Sequence, residues 1–184
     1  EDGKLIYIQV DTIEEVFTAI ESVIVKIREE YKDKLCVIVW DSVAATTTKA
    51  ELQNDYGDVT VALGPRLIGQ GLRKIGRFIG KERIALIFLN QVRMKIGIAF
   101  GNPFTTPGGK AIPFTASVRV QLLTAGKLKA GDDIIGVNIK AKVVKNRMGP
   151  PHRECVLQMY FDKGIVDEGS WIKTLTEGKI VKKL

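Results

Sequence analysis

Two short apolar runs in this 184-residue chain close on residues able to handle a metal-bound or phosphorylated ligand. Residues 36–40 (CVIVW) end at Asp41 and Ser42, and residues 84–89 (IALIFL) end at Asn90 and Gln91. An aspartate closing a buried strand has the form of a Walker B motif, whose carboxylate helps to hold a magnesium ion carrying nucleotide phosphates. A strand-end aspartate also caps the turn after it, so Asp41 alone leaves both roles open. Gln91 can orient a water or touch a terminal phosphate, and an amide there can equally satisfy a turn. A third set lies in residues 91–110, a glycine-rich stretch that contains Arg93, Lys95 and Lys110 and no acid. Adjacent glycines, Gly108 and Gly109, let backbone amides approach a phosphate closely, and the cations supply charge. Ile96, Ile98 and Phe100 are interleaved there without a helical or strand pattern. Such side chains are costly to expose unless bases or a neighbouring subunit cover them.

The flanking pattern predicts the elements that would hold these residues. Residues 5–10 (LIYIQV) read as a strand, and Thr12 three residues before Glu15 forms a capping-box pattern. Val16, Ile20, Val23, Ile24 and Ile27 then share one helical face. Residues 35–40 are continuously apolar, as expected of a parallel strand covered on both faces, and ligands gather at the carboxyl ends of such strands. Residues 46–60 are polar and too long for a tight connection. A helix follows from about Pro65, with Leu67, Ile68, Leu72, Ile75 and Ile79 as its stripe and Arg66, Arg73, Lys74 and Arg77 mostly off it. Residues 84–89 make a third buried strand. Beyond residue 110 the style changes to three strand-like runs, 117–123, 136–144 and 154–161, separated by glycine- or proline-bearing turns. Val137, Ile139, Ala141 and Val143 alternate with polar neighbours, the mark of a half-buried antiparallel meander. The expected fold is α/β: parallel strands with helices, extended by an antiparallel meander, in one domain over residues 1–184.

Composition narrows the function classes. Hydrophobic residues at 45% and charged residues at 27% describe a globular chain, and no apolar run approaches the ~20 residues of a membrane span. The start shows no basic-then-apolar signal-peptide pattern, and Cys36 and Cys155 make no metal spacing or disulfide framework. A secreted, membrane or zinc protein is excluded on this reading, and a reducing cytoplasm is the expected compartment. Residues 1–58 hold 13 acidic and 6 basic side chains, a net −7, whereas residues 59–184 hold 8 and 22, a net +14. That split suits a surface meeting a polyanion such as nucleic acid, and equally a solvated basic face. Cys36, Cys155, Trp40, Phe88 and Trp171 read as packed core, and His152, after two prolines, as a solvated turn residue.

Taken together, residues 37–45 (VIVWDSVAA), 48–58 (TKAELQNDYGD), 87–109 (IFLNQVRMKIGIAFGNPFTTPGG) and 142–146 (KVVKN) resemble the RecA family of DNA recombinases, its phage UvsX-like branch included. The likeness runs from about residue 10 to residue 161. It implies a RecA-like ATPase core that binds single-stranded DNA and ATP with Mg2+. Such a protein forms filaments and pairs the bound strand with homologous double-stranded DNA in recombination and repair. The compartment implied is the cytoplasm, nucleoid-associated, or the host cytoplasm for a phage-encoded protein. By position, Asp41 matches the Walker B aspartate, an indirect Mg2+ contact, and Ser42 its neighbour. Gln91 matches the glutamine that senses the terminal phosphate. Residues 51–60 and 92–106 match the first and second DNA loops. Arg66 and Arg73 match basic residues near DNA phosphates, and Met94, Lys95, Ile96, Gly108 and Gly109 match residues that cradle the strand and separate its base triplets; Arg93 and Lys110 join this DNA-binding set by their charge. Lys145 and Arg147 fall where family members reach a neighbouring subunit's ATP, and Phe114 falls at a filament-interface position. Phe161 aligns with an aromatic near the adenine.

The departures are as specific. No GxxxxGK[ST] phosphate loop occurs in this sequence. In the family that loop precedes the matched region, together with the catalytic glutamate and an amino-terminal oligomerisation element. The chain therefore reads as a fragment lacking the Walker A region, incomplete at its N-terminal side. Phe104 stands where many relatives carry an acid and Lys110 where many carry an amide, which makes the second loop more apolar and more basic. A strand-exchange ATPase core is the leading reading. An ATP-independent DNA-binding remnant without turnover is the alternative, and a hexameric helicase fits residues 91–109 less well.

Overall fold

The computed structural model describes residues 5–31, 34–55, 62–94, 97 and 104–177, and the chain gathers into two compact units, Glu1–Thr115 and Ala116–Leu184. The first unit opens on α1 (Ile13–Glu30), whose capping box forms as the sequence predicts. The Glu15 N–H donates to the Thr12 hydroxyl and the Thr12 N–H to the Glu15 carboxylate, each at 3.2 Å. Then come β1 (Cys36–Trp40), α2 (Lys49–Gln53), α3 (Leu63–Ile79), β2 (Ile84–Phe88), β3 (Arg93–Met94), β4 (Phe104–Thr105) and α4 (Ala111–Thr115). β1 and β2 pair in parallel, Cys36 opposite Ile84 and Trp40 opposite Phe88. The core forms where α1 and α3 cover one face of this pair: Val16, Ile20 and Ile24 meet Ile68, Leu72 and Ile75 over Trp40 and Ile84. Trp40 packs edge-on against Phe17 and Phe88, with ring centroids 5.8 and 5.3 Å apart, and its Nε1 donates to the Thr46 hydroxyl at 2.9 Å.

Four expectations need correction here. Residues 5–10 carry no strand; Leu5 is 94% exposed, and the segment pairs only just beyond its end, in an isolated parallel bridge between Thr12 and Thr47. Apolar alternation cannot make a strand without a neighbour to accept its ladder. The parallel pair is covered on one face only among the described residues: Val37 is 60% exposed, Val39 54% and Ile87 45%. Residues 46–60 are not wholly irregular, because Thr48 and Glu51 form a second capping box that starts α2. Five residues without an apolar stripe left that helix invisible to periodicity. Trp171 and Cys155 are exposed rather than packed, while Trp40 is buried and Cys36 half-buried.

The second unit is a meander of β5 (Val118–Ala130), β6 (Asp133–Asn146), β7 (Glu154–Tyr160) and β8 (Gly164–Val166) in that spatial order, followed by α5 (Glu168–Glu177). β5 and β6 run longer than their apolar patterns suggest, because a two-residue turn with Gly131 at φ 62° lets pairing continue to Ala130 and Asp133. The register aligns Val120, Leu122, Ala141 and Val143 on one face and Arg119, Lys142 and Lys145 on the other. The expected contrast of one buried and one wet face on β6 is blunted, since residues 137–146 are all half-buried. His152 lies exposed between β6 and β7 with φ 67°. Among the described residues no helix is long and apolar enough to cross a membrane.

Candidate nucleic-acid interface

The amphipathic pattern of α3 buries Ile68, Leu72 and Ile75 and so leaves Arg66, Gln70 and Arg73 exposed together on another face. With Pro65, Gly69 and Ala111 of α4 they line an open cavity of about 330 Å³. Arg73 folds back along the helix: its Nη1 lies 3.5 Å from where a Gly69 side chain would begin. Lys74 is drawn the other way, to Glu21 of α1 at 2.7 Å. The cavity therefore presents two guanidinium groups and one amide, a set that grips a phosphate oxygen by charge-assisted hydrogen bonds.

The end of the second loop is seated on this helix by its glycines. Gly108 and Gly109 have φ of +87° and +71°, a region that side chains rarely adopt. A Cβ on Gly109 would sit 2.9 Å from Pro65 Cβ, and one on Gly108 3.0 to 3.2 Å from Ile112, Ile68 and Val43. Beside the close phosphate approach expected of the pair, packing by itself already requires glycine at both positions. The consequence is that exposed Lys110 and the start of α4 follow directly from this seat on α3.

Asn90, expected only to end a strand, staples the loop. Its Nδ2 donates to the Pro107 carbonyl and its Oδ1 accepts from the Gln91 N–H, both at 2.9 Å. β3 and β4 close the same base, Arg93 opposite Thr105 and Met94 opposite Phe104, with Arg93 and Met94 exposed. Lys95, Ile96, Ile98 and Phe100 lie outside the described residues. At the strand ends, the Leu89 N–H donates to the Trp40 carbonyl and the Val43 N–H to the Leu89 carbonyl, both at 3.0 Å. These bonds set Asp41 and Ser42 beside Asn90 and Gln91, with Asp41 exposed and its peptide bond to Ser42 cis.

In the second unit, Lys145 stands opposite Arg119 near the end of β6, and the Arg147 N–H donates to the Ser117 carbonyl at 2.9 Å. Lys145 is held below the ordinary lysine range by burial first and then by the charges of Arg147 and Arg119. Phe161 is exposed at the other end of this sheet, where its N–H donates to the Ile135 carbonyl. At about 3.4 Å per residue, roughly 30 Å of β6 separates it from Lys145. Phe114 is exposed on α4.

The sequence profile of the RecA N-terminal domain matches residues 3–166. This chain belongs to the RecA family. It is 46% identical over 147 residues to Protein RecA of Staphylococcus epidermidis, covering 80% of this chain and 42% of that protein. The same figures hold for Protein RecA of Bacillus subtilis, and Protein RecA of Syntrophus aciditrophicus is 45% identical over 149 residues, 81% of this chain and 43% of that protein. The RecA-family chain thus spans less than half the length of these curated relatives.

Magnesium and a nucleotide can be weighed against the residues present. Among the described residues no three His, Cys, Asp or Glu side chains gather into a metal cage. Mg2+ needs none, because it keeps several waters and takes one or two carboxylates plus substrate phosphates. Exposed Asp41 at a strand's carboxyl end fits that indirect role. A phosphate cradle does not follow from this sequence, which contains no GxxxxGK[ST].

Proposed function

We propose that this chain is the DNA-facing part of an ATP-dependent strand-exchange recombinase acting in homologous recombination and DNA repair. The observation that carries the reading is the cavity of Arg66, Gln70 and Arg73, against whose helix the Gly108–Gly109 end of the second loop is seated. The cations there hold the phosphates of a single strand, with Arg93, Lys95 and Lys110 adding charge and Met94 and Ile96 wedging between bases. A homologous duplex is then paired with that strand. The family match crosses the boundary between the two units at Thr115 without a break, which supports reading them as one core domain.

ATP with Mg2+ supplies the switch when bound. Asp41 and Ser42 would hold its magnesium side, and Gln91 would read the terminal phosphate from the strand end where the loop begins. Asn90 ties that end to Pro107, so a shift at Gln91 reaches the loop seat through one side chain. Lys145 and Arg147 would meet a neighbouring subunit's phosphates, whereas Phe161 would lie near an adenine. Their places at opposite ends of β6 suit two different nucleotides rather than one. Phe114 contributes to the filament contact. The compartment is the cytoplasm, at the nucleoid or in a phage host.

A second reading, an ATP-independent DNA-binding remnant, is compatible with a sequence that contains no GxxxxGK[ST]. The coding sequence upstream of Glu1 separates the two: an in-frame GxxxxGK[ST] supports turnover, and its absence supports the remnant. Both require DNA binding, which a salt titration tests. Each neutralised phosphate contributes about 0.7 to the salt slope on single strands, so Arg66→Gln with Arg73→Gln flattens it by about 1.4. A fourfold rise in salt then weakens the wild type about sevenfold more than the variant. An unchanged slope, or strong preference for one oligonucleotide sequence, removes the phosphate-clamp role.

A further inference from the structure

Thr46 has no part in the reading above, yet its hydroxyl joins the core of the first unit to the turn on which the second loop comes to rest. Trp40 closes β1, 6% exposed and packed edge-on against the rings of Phe17 and Phe88. A buried indole N–H costs free energy unless it finds an acceptor, and the Thr46 hydroxyl supplies one at 2.9 Å. The same hydroxyl donates to the Ser42 carbonyl at 3.0 Å, so a fixed ring, a hydroxyl and a backbone carbonyl form one relay. Between Ser42 and Thr46 the chain makes a short 3-10 turn over Val43–Ala45, which the Ser42 side chain does not cap. Val43 in that turn is 3% exposed, and its Cγ1 lies 3.2 Å from where a Gly108 side chain would begin. The turn is therefore part of the floor under the loop end, and Val43, Ala44, Thr46, Pro107 and Gly108 share the wall of one cavity of about 280 Å³. The Val43 N–H, bonded to the Leu89 carbonyl, holds the turn at one end, and the relay holds it at the other. Without the relay Gly108 loses a fixed floor, and with it Lys110 and α4 lose their placing beside Arg66 and Arg73.

We propose that Thr46 is a positioning residue for strand binding: through Trp40 it holds the Val43–Ala45 turn under Gly108 and so sets the loop end against the cavity of Arg66 and Arg73. This rests on the assignment of that cavity to DNA phosphates. A bound state that needs the seated turn is reached only from the fraction of molecules that have it, so apparent affinity falls with that fraction. A fluorescent poly-pyrimidine strand, titrated into the 184-residue chain at several salt concentrations, tests it. Thr46→Val keeps the shape and removes both hydrogen bonds, and it should weaken binding about tenfold, the worth of one buried hydrogen bond. Its salt slope should equal that of the wild type, because no cation is lost, and Thr46→Ser should recover most of the affinity. In Thr46→Val the Val43 amide should exchange faster with solvent deuterium while the Ile24 amide, in the core of α1, keeps its wild-type rate; local release is thereby told from unfolding. Should Thr46→Val not fold, the wild-type chain gives the answer: saturating strand should slow exchange of the Trp40 indole N–H, because the open turn and the bound strand exclude each other. Wild-type affinity in a folded Thr46→Val, or Trp40 exchange untouched by bound strand, overturns the role of Thr46 and leaves the DNA cavity in place. A wild-type chain without salt-dependent binding overturns the cavity assignment and this inference together.

Discussion

Gly71 and Gly76 lie five residues apart on α3, and replacing each by alanine should move stability in opposite directions. Alanine gains about 1 kcal/mol of helix propensity over glycine in a helix interior, and both sites receive that gain. At Gly76 a new Cβ meets nothing within 4 Å, so Gly76→Ala should stabilise the first unit by about that amount. At Gly71 the new Cβ lies 2.5 Å from three ring atoms of Phe17. Carbon atoms rest about 3.5–4.0 Å apart, so the ring must retreat by about 1 Å. Phe17 is 7% exposed and packs edge-on against Trp40, which leaves it little room. Overpacking of this kind costs about 1–3 kcal/mol. Because propensity cancels between the two variants, their difference isolates the clash at about 1–3 kcal/mol. Urea titrations in a Trp171→Phe background read it from Trp40 fluorescence, since the chain has two tryptophans. Equal midpoints at unchanged m-value in the two variants would show that α1 and α3 do not approach as described.

Other outcomes follow from the same geometry. The backbone N–H groups of Asp11 and Thr12 and the Thr12 side chain hold the Glu15 carboxyl below its ordinary 4.5. Stability from this cap is present above the unfolded value and is lost as pH falls through the lowered folded one; Glu15→Gln should flatten the acid side of the urea-midpoint profile, and an unchanged profile would contradict it. Burial pushes the Cys36 thiol up, whereas Cys155 is exposed; a thiol reagent should label Cys155 first and reach Cys36 quickly only in urea, and equal native rates would refute this. The 184-residue chain should turn over no ATP, with or without DNA, because phosphoryl transfer depends on a phosphate loop and its lysine. DNA-stimulated phosphate release abolished by Asp41→Ala would disprove that.

Local signals carried the first layer of this reading. The Thr12–Glu15 capping box, the apolar stripes of α1 and α3, and the polar residues closing β1 and β2 are properties of neighbours within a few residues, and each forms where the pattern places it. The alternation in residues 5–10 was as clear and still makes no strand, since a strand is a property of a pair and no ladder partner stands beside it among the described residues. Burial of Trp171 and of both faces of β1 failed for a related reason: apolar character states a preference, and exposure depends on what else arrives. The candidate site divides in the same way. The family resemblance marks Arg66 and Arg73, and residue type the Gly108–Gly109 pair, but the steric demand of Pro65 and Ile68 on those glycines joins positions some forty residues apart. Likewise Arg119 stands opposite Lys145 only through the register of β5 on β6. Chain spacing can specify a turn of helix or an alternation of strand, because both are fixed by bonds and sterics along a few residues. Which distant side chains then share a cavity or a charge is decided by packing and strand register, and these exist only once the chain has closed on itself.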